Sequence, residues 1–256
     1  MAASKVGIEL VFGGGSVGSG TVYEDNAVLK KALEVLKKEG VGNLEAVNEV
    51  YKAGKFYRFG LSNYKPEDVQ KVFDVCKANG FPLPTAYQGN YSAVDRRLEN
   101  TLFPTLKKLG ISFYAYSPMA GGFLSKTKED IEKGAGRFNE SSPGDSMYTK
   151  MYKKPAYLEA LAVWDSIANA TGCSKAELAY RWVAFNSQLN AEYGDGILLG
   201  AHNIEQLQST LNNLKKGPLA PEIADKINQM WTKLRDEAPT DKFPPLTKPR
   251  WVSART

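Results

Sequence analysis

Short apolar, β-branched runs that end in polar or glycine-rich residues, each followed by a stretch with helical spacing, recur along this chain. That alternation constrains its fold more than any other feature. VGIELVFGG, KFYRFGLSN, LPTAYQGNYS, ISFYAYSPM and GDGILLGA read as strands. Helical patterns follow four of them: residues 25–38, 66–79, the segment ENTLFPTLKKLG, and IEQLQSTLNNLKK. Repeated strand–helix units with short connections predict a parallel sheet covered by helices, an α/β fold. The polar groups cluster at the carboxyl ends of the strands, at Ser62-Asn63, Gln88-Asn90, Tyr116-Ser117 and Gly200. Barrels and open α/β sheets build their binding sites at that end.

The alternation breaks once. Residues 37–55 read KKEGVGNLEAVNEVYKAGK, so a helix near residues 25–38 runs almost directly into another over 44–53, with only Val41-Gly42-Asn43 between them. A strand belongs there and none is present. At 256 residues the chain has the length of a complete eight-stranded barrel, for which about 250 is typical, yet the pattern yields about five strands. The remaining elements are two helices over 155–171 and 174–187 and a terminal helix in PEIADKINQMWTKLRDE. A polar, glycine-containing loop is expected over 121–154, with an extended, proline-rich basic tail over 239–256. Residues 1–238 then form one domain interrupted near 41–44.

Apolar residues make up 43% of the chain and charged residues 24%, as in soluble globular proteins. No run approaches the roughly 18 apolar residues of a membrane span, and the first residues lack a secretory pattern. The net charge of +5 is spread in pairs such as Lys107-Lys108, without the aromatic-interleaved basic patch of a nucleic-acid binder. Cys76 and Cys173 make neither a metal nor a disulfide framework. Cys76 falls on an apolar helix face, and the pair suits a reducing, cytoplasmic compartment. GGGSVGSG at 13–20 follows a strand but matches neither G-x-x-x-x-G-K-[ST] nor G-x-G-x-x-G, so it reads as a flexible turn.

Longer motifs carry a resemblance. LEAVNEVYKAGKFYRFGLSNY, AYQGNYSAVDRRLENTLFPTLKKLGISFYAYSPMAGGFLSKT, GRF, LAYRWVAFNSQL and ILLGAHNIEQLQSTL occur in order over about four-fifths of the chain. Together they resemble the aldo-keto reductases, especially the aflatoxin-aldehyde reductase branch. The resemblance implies a (β/α)8 barrel that binds NADP(H) and reduces aldehydes or ketones by hydride transfer. It implies that Ser62, Asn63 and Gln88 hold the nicotinamide carboxamide and that Tyr116 stacks on the ring. Ser117, Pro118, Met119, Gly121 and Gly122 would run along the pyrophosphate. Gly200, Ala201, Asn203, Gln206 and Thr210 would surround the 2′-phosphate and adenine. Amide side chains supply both donor and acceptor to a carboxamide, a tyrosine ring offers a flat apolar face, and strand-to-helix turns favour phosphate.

The same resemblance implies a catalytic Asp, Tyr, Lys and His on the second to fourth strands and their loops. No segment here reads like those strands, and the one histidine, His202, lies in the last strand–helix unit. The break at 41–43 is therefore expected to mark an internal deletion of strands two to four. The resulting fold class is an incomplete TIM-type (β/α) barrel with no catalytic residue to nominate. A small-molecule carbonyl substrate is expected if turnover survives, and a homodimer is the assembly the resemblance suggests. The alternatives are a non-catalytic cofactor-binding or regulatory subunit, or a truncated product of splicing or gene assembly.

Overall fold

The computed structural model describes residues 9–12, 43–54, 56–139 and 145–239. The expected helix over 25–38, the glycine run at 13–20, the junction at Val41-Gly42 and residues 240–256 of the tail lie outside them. Five strands order the sheet: β1 (Glu9–Phe12), β2 (Phe59–Ser62), β3 (Pro84–Asn90), β4 (Ser112–Tyr116) and β5 (Gly196–Leu199). They run β1-β5-β4-β3-β2, every neighbouring pair parallel. β2 to β5 form a continuous block, with β1 added beside β5. The first and last strands in the chain thus lie next to each other, as barrel closure would require. β1 and β2 end as the two edges, and among the described residues no strand pairs beyond either. The result is an α/β parallel sheet flanked by helices.

Each helix follows from local chemistry. α1 (Asn43–Lys52) begins immediately after the junction. α2 (Pro66–Asn79) starts on a proline, whose missing N–H is no loss in a first turn. It stops at Gly80, whose φ of 66° lets its N–H turn back to the Cys76 and Lys77 carbonyls. The segment expected as one helix around Pro104 is two, α3 (Leu98–Thr101) and α4 (Phe103–Leu109), because proline is accommodated in a first turn and not in a helix interior. The loop expected over 121–154 is largely helical. It contains a short 3₁₀ segment (Ala120–Ser125), α5 (Lys128–Glu132) and α6 (Asp145–Tyr152). α5 carries a reciprocal cap in which Thr127 accepts from the Asp130 N–H and Asp130 accepts from the Thr127 N–H. Polar composition concealed these short helices, since the caps that make them are themselves polar. α7 (Pro155–Thr171) has the expected bounds, whereas α8 (Lys175–Arg181) gives way to a π-helical turn over Trp182–Asn186. α9 (Ile204–Leu214) and α10 (Pro221–Leu234) complete the shell.

The core lies between the sheet and this shell. Leu61, Tyr87, Phe113, Ala115, Ile197 and Leu199 point outward from the sheet and are buried against Val69, Val72, Cys76, Leu106 and the large rings of Tyr91 and Trp182. The Phe113 ring lies 4.7 Å from that of Phe103 and meets Tyr91 edge-on at 6.0 Å. A polar knot ties the shell together. Tyr91 Oη donates to Glu99 at 2.6 Å, Arg96 pairs with Glu99 at 2.8 Å and reaches Asn228 at 2.7 Å, and the Arg96 guanidinium lies over Trp182. The opposite, inner face is different. Gly60 and Gln88 are exposed, Ala86 is half-buried, and Arg58 lies across β3 and β4, donating to the Thr85 carbonyl at 2.9 Å and to the Tyr114 hydroxyl. A parallel sheet is normally covered on both faces.

Candidate cofactor cleft

Three strand ends converge on one cleft. It has a volume of about 270 Å³ and is lined by Ser62, Asn63, Asn90, Tyr116, Met147, Tyr148 and Met151. β2 delivers Ser62 and Asn63, β3 delivers Asn90, and β4 delivers Tyr116; strand register places Asn90 beside Tyr116. Asn63 adopts φ 64°, a left-handed conformation that asparagine tolerates better than most residues. The core fixes this turn: the Tyr87 hydroxyl accepts from the Tyr64 N–H at 3.1 Å and donates to the Tyr64 carbonyl at 2.9 Å.

α6 forms the roof. Met147 and Met151, four residues apart, fall on one helix face, with Tyr148 beside them. The Tyr148 ring lies so close over Gly121 that a β-carbon there would stand 2.1 Å from it. Gly121 therefore permits α6 to sit on the turn after β4. In that turn Ser117 and Ala120 hold left-handed φ values of 57° and 52°, and the Ala120 N–H donates to the Ser117 carbonyl at 2.8 Å. Left-handed backbone at non-glycine residues costs about 1–3 kcal/mol each and persists where surrounding structure enforces it. Arg137 stacks on the outer side of Tyr148 and donates to its hydroxyl at 3.2 Å.

The expected site residues separate into groups. Ser62, Asn63 and Tyr116 line the cleft, with Ser117, Pro118, Met119, Gly121 and Gly122 in the adjoining turn. Gln88 is paired with Ser62 and Tyr114 in the sheet, two residues before Asn90, and does not line the cleft. Gly200, Ala201, Asn203, Gln206 and Thr210 sit after β5 and on α9, apart from the cleft lining. There Asn203 accepts from the Gln206 N–H at 2.8 Å while Gln206 accepts from the His202 N–H at 3.1 Å, so both side chains cap their own helix. His202 is exposed.

Met147, Tyr148 and Met151 were not anticipated, and Asn90 was expected as a polar strand end but not as a cofactor-binding residue. Asn90 could have been found from its strand period, two residues after Gln88 on the same face. The α6 residues could not, because only the fold turns that segment over the cleft.

The chemistry available in the cleft is limited. Its lining contains no histidine, lysine, aspartate or glutamate. Burial, with smaller contributions from Tyr148, Tyr87 and Asp95, pushes the Tyr116 phenol up to about 12, away from the range of an effective general acid near neutral pH. Among the described residues there is no cluster of metal-ligating side chains and no helix long and apolar enough to cross a membrane. An uncharged cleft of amides, a hydroxyl, two rings and two thioethers fits a flat, weakly polar group, and its volume suits one ring system better than a whole dinucleotide.

Residues 11–232 match the Aldo/keto reductase family. An oxidoreductase, sirO, of Leptosphaeria maculans is 35% identical over 77% of this chain and 60% of its own length. An aldo-keto reductase of Pseudocercospora fijiensis is 39% identical over 74% of this chain and 64% of its own. The human aflatoxin B1 aldehyde reductase member 2 is 38% identical over 77% and 56%. The chain therefore spans about six-tenths of the length of the curated relatives it matches, and its sheet is truncated relative to a full barrel. With most of its length matched, the chain belongs to the aldo/keto reductase family.

Proposed function

We propose that this chain is an NADP(H)-binding, aldo-keto reductase-like protein that keeps the cofactor-gripping strand ends and lacks the proton-transfer group of an active reductase. One observation carries the reading: Ser62, Asn63 and Tyr116, assigned to the nicotinamide from the family pattern, meet in one cleft although they come from separate strands. Ser62 and Asn63 would hold the carboxamide, Tyr116 would face the ring, and the turn after β4 would follow the phosphates. Bound NADPH would supply a hydride. The residues present would bind and orient it, but none in the cleft is suited to deliver the accompanying proton. Loss of a general acid removes roughly 10²- to 10⁴-fold in rate, and more where several groups act as a unit.

Titration of NADPH fluorescence tests this reading. Saturable binding that Tyr116→Ala weakens by about 2- to 10-fold supports it, since an aromatic stacking contact is worth about 0.5–1.5 kcal/mol beyond its buried area. No binding at millimolar NADPH would sink it. Consumption of NADPH with an aromatic aldehyde by folded protein would show instead that substitute residues transfer the proton.

A second reading, a non-catalytic subunit of a larger assembly, is favoured by the exposed inner-face positions Gly60 and Gln88 on β2 and β3. Purification as a monomer that binds no apolar dye would remove its motivation. For the origin of the break near 41–44, the transcript sequence around codons 38–46 is decisive, because a skipped exon there would restore the missing strands. The cytoplasmic location and homodimeric assembly belong to this proposal.

A further inference from the structure

We infer that Tyr87, which lies outside the cleft lining, is a positioning residue for the cleft: its hydroxyl clamps the backbone of Tyr64 and so holds the Ser62-Asn63 turn in place at the rim. The inference rests on the cofactor reading above and deepens it.

The turn joins two fixed elements. Ser62 ends β2, paired with Gln88, and Lys65 leads into α2, where its carbonyl accepts from the Asp68 and Val69 N–H groups at 3.0 and 2.9 Å. Between them stand Asn63, exposed and left-handed at φ 64°, and Tyr64, half-buried. Water is within reach of this backbone as an alternative partner. A left-handed residue relaxes toward commoner conformations unless its surroundings enforce the turn.

Tyr87 supplies that enforcement from the shell side of the sheet. Its backbone pairs with Leu61 on β2, and its side chain, 3% exposed, stacks on Phe113 at 6.1 Å. Held in this packing, the ring cannot follow the turn if the turn moves. Its one hydroxyl accepts from the Tyr64 N–H at 3.1 Å and donates to the Tyr64 carbonyl at 2.9 Å, so both backbone polar groups of one residue end on a single atom. That double role needs a neutral phenol. Burial raises the Tyr87 phenol to about 12, so it keeps its proton throughout the neutral range. A phenylalanine would fill the same space and stack on the same ring, yet leave both Tyr64 groups to water. The hydroxyl, rather than the packing, is what places Ser62 and Asn63.

The experiment compares two ligands on the full chain carrying Tyr87→Phe. NADPH carries the nicotinamide end that this turn would meet, whereas 2′,5′-ADP carries only the adenine end. Without the clamp the turn visits other conformations, and apparent affinity falls with the fraction still competent. NADPH is expected to weaken about 5- to 10-fold, the scale of one to two lost hydrogen bonds, while 2′,5′-ADP stays within about twofold. A purely structural role would move both affinities together or neither; either result overturns the inference and leaves the cofactor reading standing. Should Tyr87→Phe fail to fold, hydrogen exchange on the unsubstituted, ligand-free chain decides. There the Tyr64 amide is expected to exchange at least about tenfold more slowly than in an unstructured chain, and exchange at the unstructured rate overturns the inference. Binding of neither ligand by the unsubstituted chain overturns the cofactor reading and the inference with it.

Discussion

The two faces of the sheet are made of the same strands and live in different environments. Outward-pointing Leu61, Tyr87, Phe113, Ala115 and Ile197 are all buried, packed under a continuous helical shell. Inward-pointing Gly60 and Gln88 are exposed, and Arg58 spans the surface between them and Tyr114. In a closed barrel the inner face is a packed core filled by side chains from all strands. Here the inner face is divided: Gly60 and Gln88 on β2 and β3 are exposed, whereas Ser112 and Tyr114 on β4 and Gly196 on β5 are buried. The cleft survives because it lies at the carboxyl rim, where the outer face still controls it: the Tyr87 ring packs in the shell while its hydroxyl grips the backbone after Asn63.

The largest test of this contrast is Phe113→Ala. Removing a buried ring that contacts Tyr87, Tyr91 and Phe103 should destabilise the fold by about 3–5 kcal/mol in urea denaturation. A loss below about 1 kcal/mol would mean that the shell is not what holds the sheet together. Alkaline titration comes next. Burial raises the Tyr87 phenol from its usual value to about 12, against the lowering effect of its backbone hydrogen bonds to Tyr64 and Asn63. The folded-state value exceeds the unfolded one, so this stabilisation is complete below about pH 10 and is lost as pH rises through about 12. The effect is on the order of 2–3 kcal/mol for this residue. Absorbance at alkaline pH should show Tyr87, with buried Tyr91, Tyr152 and Tyr157, ionising only as the protein unfolds. Normal titration of every tyrosine near pH 10 would contradict the packed shell.

Inner-face changes should be mild. Arg58→Ala removes contacts to Thr85, Tyr114 and Ser112 and is expected to destabilise by about 1 kcal/mol, because the exposed Thr85 carbonyl it leaves can be hydrated. Gln88→Ala should change stability by less than about 0.5 kcal/mol, as exposed substitutions usually do. A large loss at Gln88 would show that this face is covered in solution, and would favour the assembly reading.

Much of the arrangement was legible from residues alone. The proline starts and glycine stops of α2, the bounds of α7 and the polar strand ends at Ser62-Asn63 and Tyr116 follow from local propensity and period, which act over a few residues. The helices within 121–154 were not legible, because short segments are stabilised by caps and by what they pack on. The Tyr148 ring over Gly121 is a contact between residues 27 positions apart.

The sequence by itself determined the α/β class, the family and the break in the strand–helix rhythm, since each is written in periodicity and motif order along the chain. Tertiary structure alone decided which polar residues share a cleft and which positions of the sheet meet water. Those outcomes depend on burial, and burial is fixed only when distant segments pack.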